Sequence, residues 1–234
     1  VLVLDRSLAA DPDAELPERL NAVATTVYLL FTAGVAGGDE PVRPQLCDEA
    51  IRLGRLLVEL MPDESSLQGL LALMLLTDAR RETRADDAGS LVLIADQDRT
   101  RWDAARIAEG ATLVEAALRR SRHRAGRFEL EAAIAACHAT ATTYGETDWG
   151  DIIALYDALL RLTPTNVVRL NRAVAVGERD GAAAGLDELD HLGDPPGGSD
   201  EWPFLLAIGE RRSFTANTIF RDPAWRKRAG QESL

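Results

Sequence analysis

The segment Asp96-Gln97-Asp98-Arg99-Thr100-Arg101-Trp102-Asp103 gathers three carboxylates, a carboxamide, two guanidiniums and an indole into eight residues. Such a mixture can do two kinds of work. Carboxylates beside guanidiniums form charge-assisted hydrogen bonds that fix a loop, and an arginine or tryptophan left accessible anchors a partner's side chain. Two further polar groups stand near apolar helical stripes: Asp78, Arg80 and Arg81 at the end of one helical pattern, and Asn171 with Arg172 inside another. His138 lies at the edge of an apolar face, and Trp149 opens a later helical pattern.

Two readings of these residues stand side by side. Asn171 follows Val168 by three positions, so it falls on or beside a packed face, where an amide or guanidinium needs hydrogen-bond partners. In the first reading the aspartates of 96–103 supply those partners, and an internal network locks loop 82–100 onto the helices. In the second, Arg80, Arg99, Arg101 and Trp102 line a groove that receives a partner peptide or a neighbouring domain. His138 reads as a satisfied histidine at the edge of the core rather than a ligand.

Catalytic patterns are missing. There is no Gly-x-x-x-x-Gly-Lys loop, Gly-x-Ser-x-Gly elbow or Gly-x-Gly-x-x-Gly turn. His123, His138 and His191 are scattered, and Cys47 and Cys137 stand far apart without ligand spacing. The expectation is a protein that is not an enzyme and holds no metal or cofactor.

Composition narrows the class. Of 234 residues 46% are apolar but only 5% aromatic, so leucine and alanine carry the core, which favours helices over sheets. A net charge of −12 argues against gripping a phosphate backbone. The basic runs Arg119 to Arg127 and Arg226 to Arg228 read as solvated surface. No apolar run approaches the roughly 18 residues of a membrane span. The opening Val1-Leu2-Val3-Leu4 run, followed by acid, is too short for a signal peptide. With both cysteines on apolar stripes as free thiols, a cytoplasmic location is expected. The start without methionine suggests a piece of a longer product.

Helical periodicity then orders the elements that must position the polar groups. A first helix from about Pro17 carries Leu20, Val23, Val27, Leu30 and Phe31 on one face and stops at Gly37-Gly38. A second, about Pro44 to Met61, has a stripe at Leu46, Ala50, Leu53, Leu57 and Leu60. An adjoining stripe holds Cys47, Ile51, Gly54, Val58 and Met61, so the helix is covered from two sides. A third runs through Leu67 and Leu75 to Arg80-Arg81, with Leu70 to Leu76 as a core segment. After a polar loop at 82–90, Leu91 to Ile94 reads as an apolar strap. Asp98 or Thr100 caps a fourth helix holding Trp102, Ala105, Ile107 and Ala108, with a bend at Gly110. Further helices are expected at about 127–141, 148–163, 165–179 and 181–192, and another at Trp202 to Glu210. Trp149 to Leu192, with Tyr156, Pro164 and Asn166, reads as a degenerate tetratricopeptide-like repeat; Leu159 stands where a small alanine is usual.

These features together predict an all-α, tetratricopeptide-like array of antiparallel helical hairpins, an α-solenoid. The organisation expected is a lead-in at 1–14, the helical domain at 15–193, and a breaker with a degenerate helical segment at 194–234.

A series of ordered blocks carries a resemblance. Leu16-Pro-Glu-Arg-Leu20, Tyr28-Leu-Leu-Phe31, Leu46 to Gly54, Leu70-Leu-Ala-Leu-Met74 and Asp78-Ala-Arg-Arg81 come first. Asp96-Gln-Asp-Arg99, Arg101-Trp-Asp103, Ala132 to His138, Asp148-Trp149, Tyr156-Asp157 and Val168 to Ala175 follow. Over about residues 15–192 the chain resembles the tetratricopeptide-like C-terminal extension of bacterial extracytoplasmic-function sigma factors. In that family, domains that bind polymerase and read the −10 and −35 elements precede this region, and neither lies within these residues. The family's final helical repeat is not recognisable after Pro196. The resemblance implies a regulatory domain in transcription initiation, in contact with sigma-factor core domains, RNA polymerase or a regulator. DNA would be met only through the domains absent from this sequence. The alternatives are a stand-alone peptide-binding scaffold and a small-molecule sensor using the Arg80/Trp102 region.

Overall fold

A computed structural model describes residues 16–35, 43–86, 92–122 and 124–190. Among these residues there are eight α-helices and no strand: α1 (Leu16–Val35), α2 (Pro44–Leu60), α3 (Ser65–Asp78), α4 (Ala104–Ser121), α5 (Arg127–Thr140), α6 (Trp149–Leu162), α7 (Asn166–Asp180) and α8 (Ala182–Asp190). Single 3-10 turns occupy Arg81–Thr83, Arg99–Arg101 and Tyr144–Glu146. Each helix packs on the next in sequence, and α3 also touches α1 and α5. The protein is all-α, an array of helical hairpins of the solenoid-like kind. The elements expected at 1–14, at Gly37-Gly38 and from 194 onward lie outside the described residues, as do His123 and His191.

Local chemistry sets the helix ends. Pro44 occupies a first-turn position of α2, where its missing N–H costs nothing. Asp103, Asp148 and Thr165 cap α4, α6 and α7, each side chain accepting from backbone amides of the first turn. Gly181, at φ 97, ends α7 in a conformation that a Cβ would strain.

The centre of the array is α3. Residues Leu67 to Leu76 are all buried, because α1, α2, α4 and α5 surround the helix. A helix apolar all round is what such a position demands. One cluster of buried residues joins α1 to α5, and a second joins α5 to α7 with Ala184 of α8 packed against it. Helix α5 belongs to both, giving Phe128 and Ala132 to the first and Leu130 and Ile134 to the second.

Several expectations need correction. On α1 the buried face is Ala24, Val27 and Phe31, and Val23 is exposed. On α2 the stripe beginning at Cys47 is the buried one, with Ala50 beside it, while Leu60 is open. Helix α3 stops at Asp78, so Arg80 and Arg81 belong to the turn after it. Helix α4 starts at Ala104 under Asp103, so neither Asp98 nor Thr100 caps it and Trp102 lies outside it. Gly110 lies inside the unbroken α4 and is buried. A Cβ there would lie 2.7 Å from Leu76 Cγ, so the glycine lets α4 close against α3. The strap itself is as expected where it is described: Val92 donates its amide to the Arg84 carbonyl at 2.8 Å, and Ile94 is buried.

Candidate functional site

A cavity of about 570 Å³ runs along the odd-numbered helices. Tyr28 and Phe31 of α1, Leu73 and Leu76 of α3, Ile134 and His138 of α5, and Val168 and Asn171 of α7 contribute to its wall. These helices form the inner layer of the array because odd-numbered partners of successive hairpins face the same side. Tyr156 and Leu159 of α6 close one end, and Ile94 and Trp102 enter from the strap. The lining is chiefly apolar, interrupted by a few polar side chains: Arg80, Arg84, the Arg127–Glu131 pair, His138 and Asn171.

The strap is held by its own chemistry. Trp102 Nε1 donates to Thr83 Oγ1 at 2.9 Å, and the Thr83 hydroxyl has Gln97 Oε1 at 3.2 Å and the Arg80 carbonyl at 3.1 Å as acceptors. Gln97 in turn donates to the Val92 carbonyl at 2.8 Å. Asp103 gives its amide to the Ala79 carbonyl at 2.8 Å before capping α4. Asp98 caps the Arg99–Arg101 turn through Thr100.

Arg99 bridges the strap to α5. Its Nη1 donates to the carbonyls of His138 and Ala141 at 2.7 and 2.8 Å, satisfying the end of the helix, and its guanidinium stacks 4.5 Å from the centre of the Trp102 ring. Trp149 meets His138 and Tyr144 edge-on, at 5.3 and 5.5 Å between ring centres. Tyr144 donates to the Glu178 carboxylate; burial and that charge raise the phenol's pKa.

Electrostatics divide the polar residues into two sets. Asp78, whose side chain is 2% exposed, accepts both nitrogens of Arg81 at 2.8 Å and also pairs with Arg106. Arg81 reaches on to Asp48 at 2.7 Å, so this neutralised cluster joins α2, α3, α4 and the turn after α3. None of its members lines the cavity. Arg80 and Arg84 do. Burial, with Arg84 and Arg99 nearby, pushes Arg80 down to about 9. Burial also lowers Arg84, and the Cys47 thiol is the ionisable neighbour that opposes this. Burial first, then Arg80 and Arg99, push the His138 imidazole down to about 3, so it is neutral at pH 7. At the other rim the Glu131 charge is consumed by Arg127 at 2.7 Å.

The structure therefore brings Arg80, Trp102, His138 and Asn171 together around one cavity. Arg99 serves the end of α5, and Arg101 is exposed, with only the Glu82 carbonyl at 3.5 Å. Asp96 is exposed. The expected partnership of the 96–103 aspartates with Arg172 does not occur. Arg172 instead takes Asp157 of α6 and Glu188 of α8, each at 2.6 Å, because those helices flank α7. Sequence reasoning missed Arg84, Arg106, Asp48 and the Tyr144–Glu178 pair. Nothing local signals Arg84, which follows the Arg81–Thr83 3-10 turn outside any α-helix. Among the described residues no group of three His, Cys, Asp or Glu side chains could hold a metal ion, and no helix is long and apolar enough to cross a membrane. Burial raises the pKa of both thiols, that of Cys137 to about 11.

Fold and cavity together define a class: a helical-hairpin array with a chiefly apolar inner groove whose wall carries Arg80, Arg84 and Arg127. Residues 19–118 match the model of a family of unknown function, DUF6596. The chain is also similar to an uncharacterized protein of Rhizobium meliloti (strain 1021). The two are 47% identical over 186 residues, which are 78% of this chain and 44% of that protein. The chain thus spans less than half the length of this curated relative. No solved structure matches it.

Proposed function

We propose that this chain is the regulatory helical extension of an extracytoplasmic-function sigma factor, acting in transcription initiation through contacts with sigma domains, RNA polymerase or a regulator. The observation that carries the reading is how the polar side chains are used. The Asp78 cluster, Asp98, Asp103 and Arg99 hold helices and strap together, and what faces the inner groove is a chiefly apolar wall with Arg80, Arg84, the Arg127–Glu131 pair, His138 and Asn171. That arrangement suits holding a partner group rather than making or breaking bonds. The ordered blocks from Leu16 to Ala175 support the transcriptional part, and a net charge of −12 favours protein over DNA as the contact. Regulation would work by differential contact, the extension favouring one arrangement of the sigma domains over another. In this reading the protein is not an enzyme and works in the cytoplasm.

The test is transcription in vitro. The intact Rhizobium meliloti relative is combined with core RNA polymerase and compared with a version lacking the region aligned to residues 16–190. Promoter-specific transcripts whose yield changes several-fold on deletion are expected. Failure of the intact protein to direct initiation, or an output unaffected by the deletion, would sink the reading.

A further inference from the structure

Apolar side chains left open to solvent gather at one end of the array. Among the described residues the exposed large hydrophobics are Leu16, Val23, Leu29, Leu56, Leu60 and Leu162, and all but Leu162 belong to α1 and α2. Leu60 is 69% exposed and Leu29 55%. Single exposed leucines are ordinary, whereas a contiguous group marks a contact. On α1 the group is continuous: Ala22, Thr26, Leu29 and Ala33 are all open and lie on the side opposite the buried Ala24, Val27 and Phe31. The Thr26 hydroxyl donates to the Ala22 carbonyl at 2.8 Å, so its proton is bound within the helix.

Charge and spacing decide what such a face can hold. Residues 20–38 are the longest uncharged run of the sequence, and on α1 only Glu18 and Arg19, in the first turn, carry charge. In a chain of net charge −12, two copies meeting through a face of average composition would set carboxylates against each other. This face avoids that. Its spacing is also self-complementary: Ala22, Thr26, Leu29 and Ala33 follow one another by four, three and four, the seam of two helices crossing at a shallow angle. Run antiparallel against itself, the seam has its twofold axis between Thr26 and Leu29. Glu18 and Arg19 of each copy then fall at the uncharged end of the other helix, and the small Ala22 and Ala33 let the backbones approach. Leu56 and Leu60 extend the apolar area on α2, which packs beside α1, and the exposed Glu49–Arg52 pair of that helix is already neutralised at 2.7 Å. A face two helices wide and 20 residues long presents about 500 Å² in projection, and its standing side chains bring the accessible area toward the roughly 800 Å² per partner of a specific dimer.

We propose that the outer face of the α1–α2 hairpin is a homodimer interface, two copies of the chain pairing through antiparallel α1 helices. The contact is isologous, each copy giving the Ala22–Thr26–Leu29–Ala33 stripe and receiving the same stripe. It buries apolar surface, so its strength does not come from attraction between charges. The inference goes beyond the proposed transcriptional role and does not rest on it, because self-association is measured on this chain without polymerase.

The experiment is sedimentation velocity on the full 234-residue chain, from about 1 to about 100 µM, where an interface of this modest size is expected to dissociate. The monomer is 25.4 kDa, and the weight-average mass climbs toward twice that value across the range. Added salt screens the net charge of −12 on each copy and strengthens the association. Leu29→Glu, at an exposed site and checked for retained helicity by circular dichroism, sets two carboxylates in the seam and weakens association at least about tenfold. The milder Leu29→Ala weakens it several-fold. Leu162→Glu, at the exposed leucine outside the hairpin, leaves it unchanged. A chain that stays monomeric throughout overturns the proposal, in favour of a different protein as the occupant of this face. A dimer that survives Leu29→Glu, that is lost equally in Leu162→Glu, or that weakens with added salt also overturns it. A monomeric chain leaves the sigma-factor reading standing, and failure of the transcription assay leaves the dimer standing.

Discussion

Gly69→Ala is expected to destabilise the protein although alanine is the better helix former. An ideal Cβ at Gly69 would lie 2.7 Å from the Glu129 amide nitrogen, 2.9 Å from the Phe128 carbonyl carbon and 3.0 Å from Glu129 Cα. All three are backbone atoms at the start of α5, so no side-chain rotation relieves the contact. Reaching an ordinary separation of about 3.4 Å requires α3 and α5 to part by about 0.7 Å. A gap of that size forfeits roughly a quarter to a half of the dispersion energy of each affected pair. The interface in question joins the two helices that share the first core cluster. Overpacking costs about 1–3 kcal/mol, and the helix-propensity gain returns about 1. A cost at the upper end is expected here because rigid backbone meets rigid backbone, leaving a net loss of about 2 kcal/mol. For a domain of this size that is roughly 4–8 °C in Tm, read by circular dichroism and checked by urea denaturation. Gly54→Ala is the control. There the nearest atom is Met74 Cε at 2.6 Å, the free end of a flexible side chain, so the loss is smaller. If Gly69→Ala melts at or above the wild-type temperature, or Gly54→Ala costs more, the close approach of α3 and α5 is wrong.

Three further outcomes follow from the site. Asp78→Ala strips a buried carboxylate from Arg81 and Arg106 and should cost about 3 kcal/mol in urea unfolding, whereas Asp48→Ala, at a half-exposed partner, should cost under about 1. Trp102→Ala should lose about 3–5 kcal/mol and admit protease into 92–103, with Trp102→Phe losing about 1 through the missing hydrogen bond to Thr83; equal protease resistance would contradict the anchoring role. His138, faced by Arg80, Arg99 and Trp149, has a folded-state pKa near 3 against 6.5 when unfolded. The unfolded chain therefore binds the proton first, and stability falls as pH drops below about 6.5, by about 2 kcal/mol between pH 7 and 5 from this residue. His138→Gln should flatten that slope, and an unchanged slope would reject the burial of a neutral imidazole.

Much of the architecture was legible because period and breakers agree. Pro164 and Thr165 separate α6 from α7 where the repeat pattern placed the turn, and the unbroken apolar run from Leu70 to Leu76 could only be an enclosed helix. The errors have local causes. Thr100 and Asp98 look like caps, and Asp98 does cap a turn, but a short 3-10 turn intervenes before Asp103 starts the true helix. Val23 is apolar on a helix whose buried side is narrower than its apolar stripe, since α1 packs chiefly on α2 and α3, with Tyr28 meeting Phe128 of α5 edge-on. Arg172 was assigned partners from a distant loop because sequence spacing cannot show that α6 and α8 bring carboxylates to both sides of α7. Arg84 escaped notice because a loop arginine is ordinarily solvated, and nothing local tells that the strap folds over it.

The turn from Ala79 to Arg84 explains how like charges are kept together. Arg84 disfavours the charge of Arg80, so a mobile turn would let the two separate into solvent. Instead three backbone carbonyls there are held, Ala79 by the Asp103 amide, Arg80 by the Thr83 hydroxyl and Arg84 by the Val92 amide, and the Trp102 indole ties the Thr83 hydroxyl. Arg81, between them in sequence, faces the opposite way into Asp78 and Asp48 and fixes the turn to α2 and α3. One short stretch thus sends Arg81 to the structural cluster and Arg80 and Arg84 to the groove. The repulsion is offset by hydrogen bonds within the protein itself. The eight-residue segment that opens the strap is, on this account, the clamp rather than the mouth of the site: its tryptophan and aspartates hold the turn, and the turn presents Arg80 and Arg84.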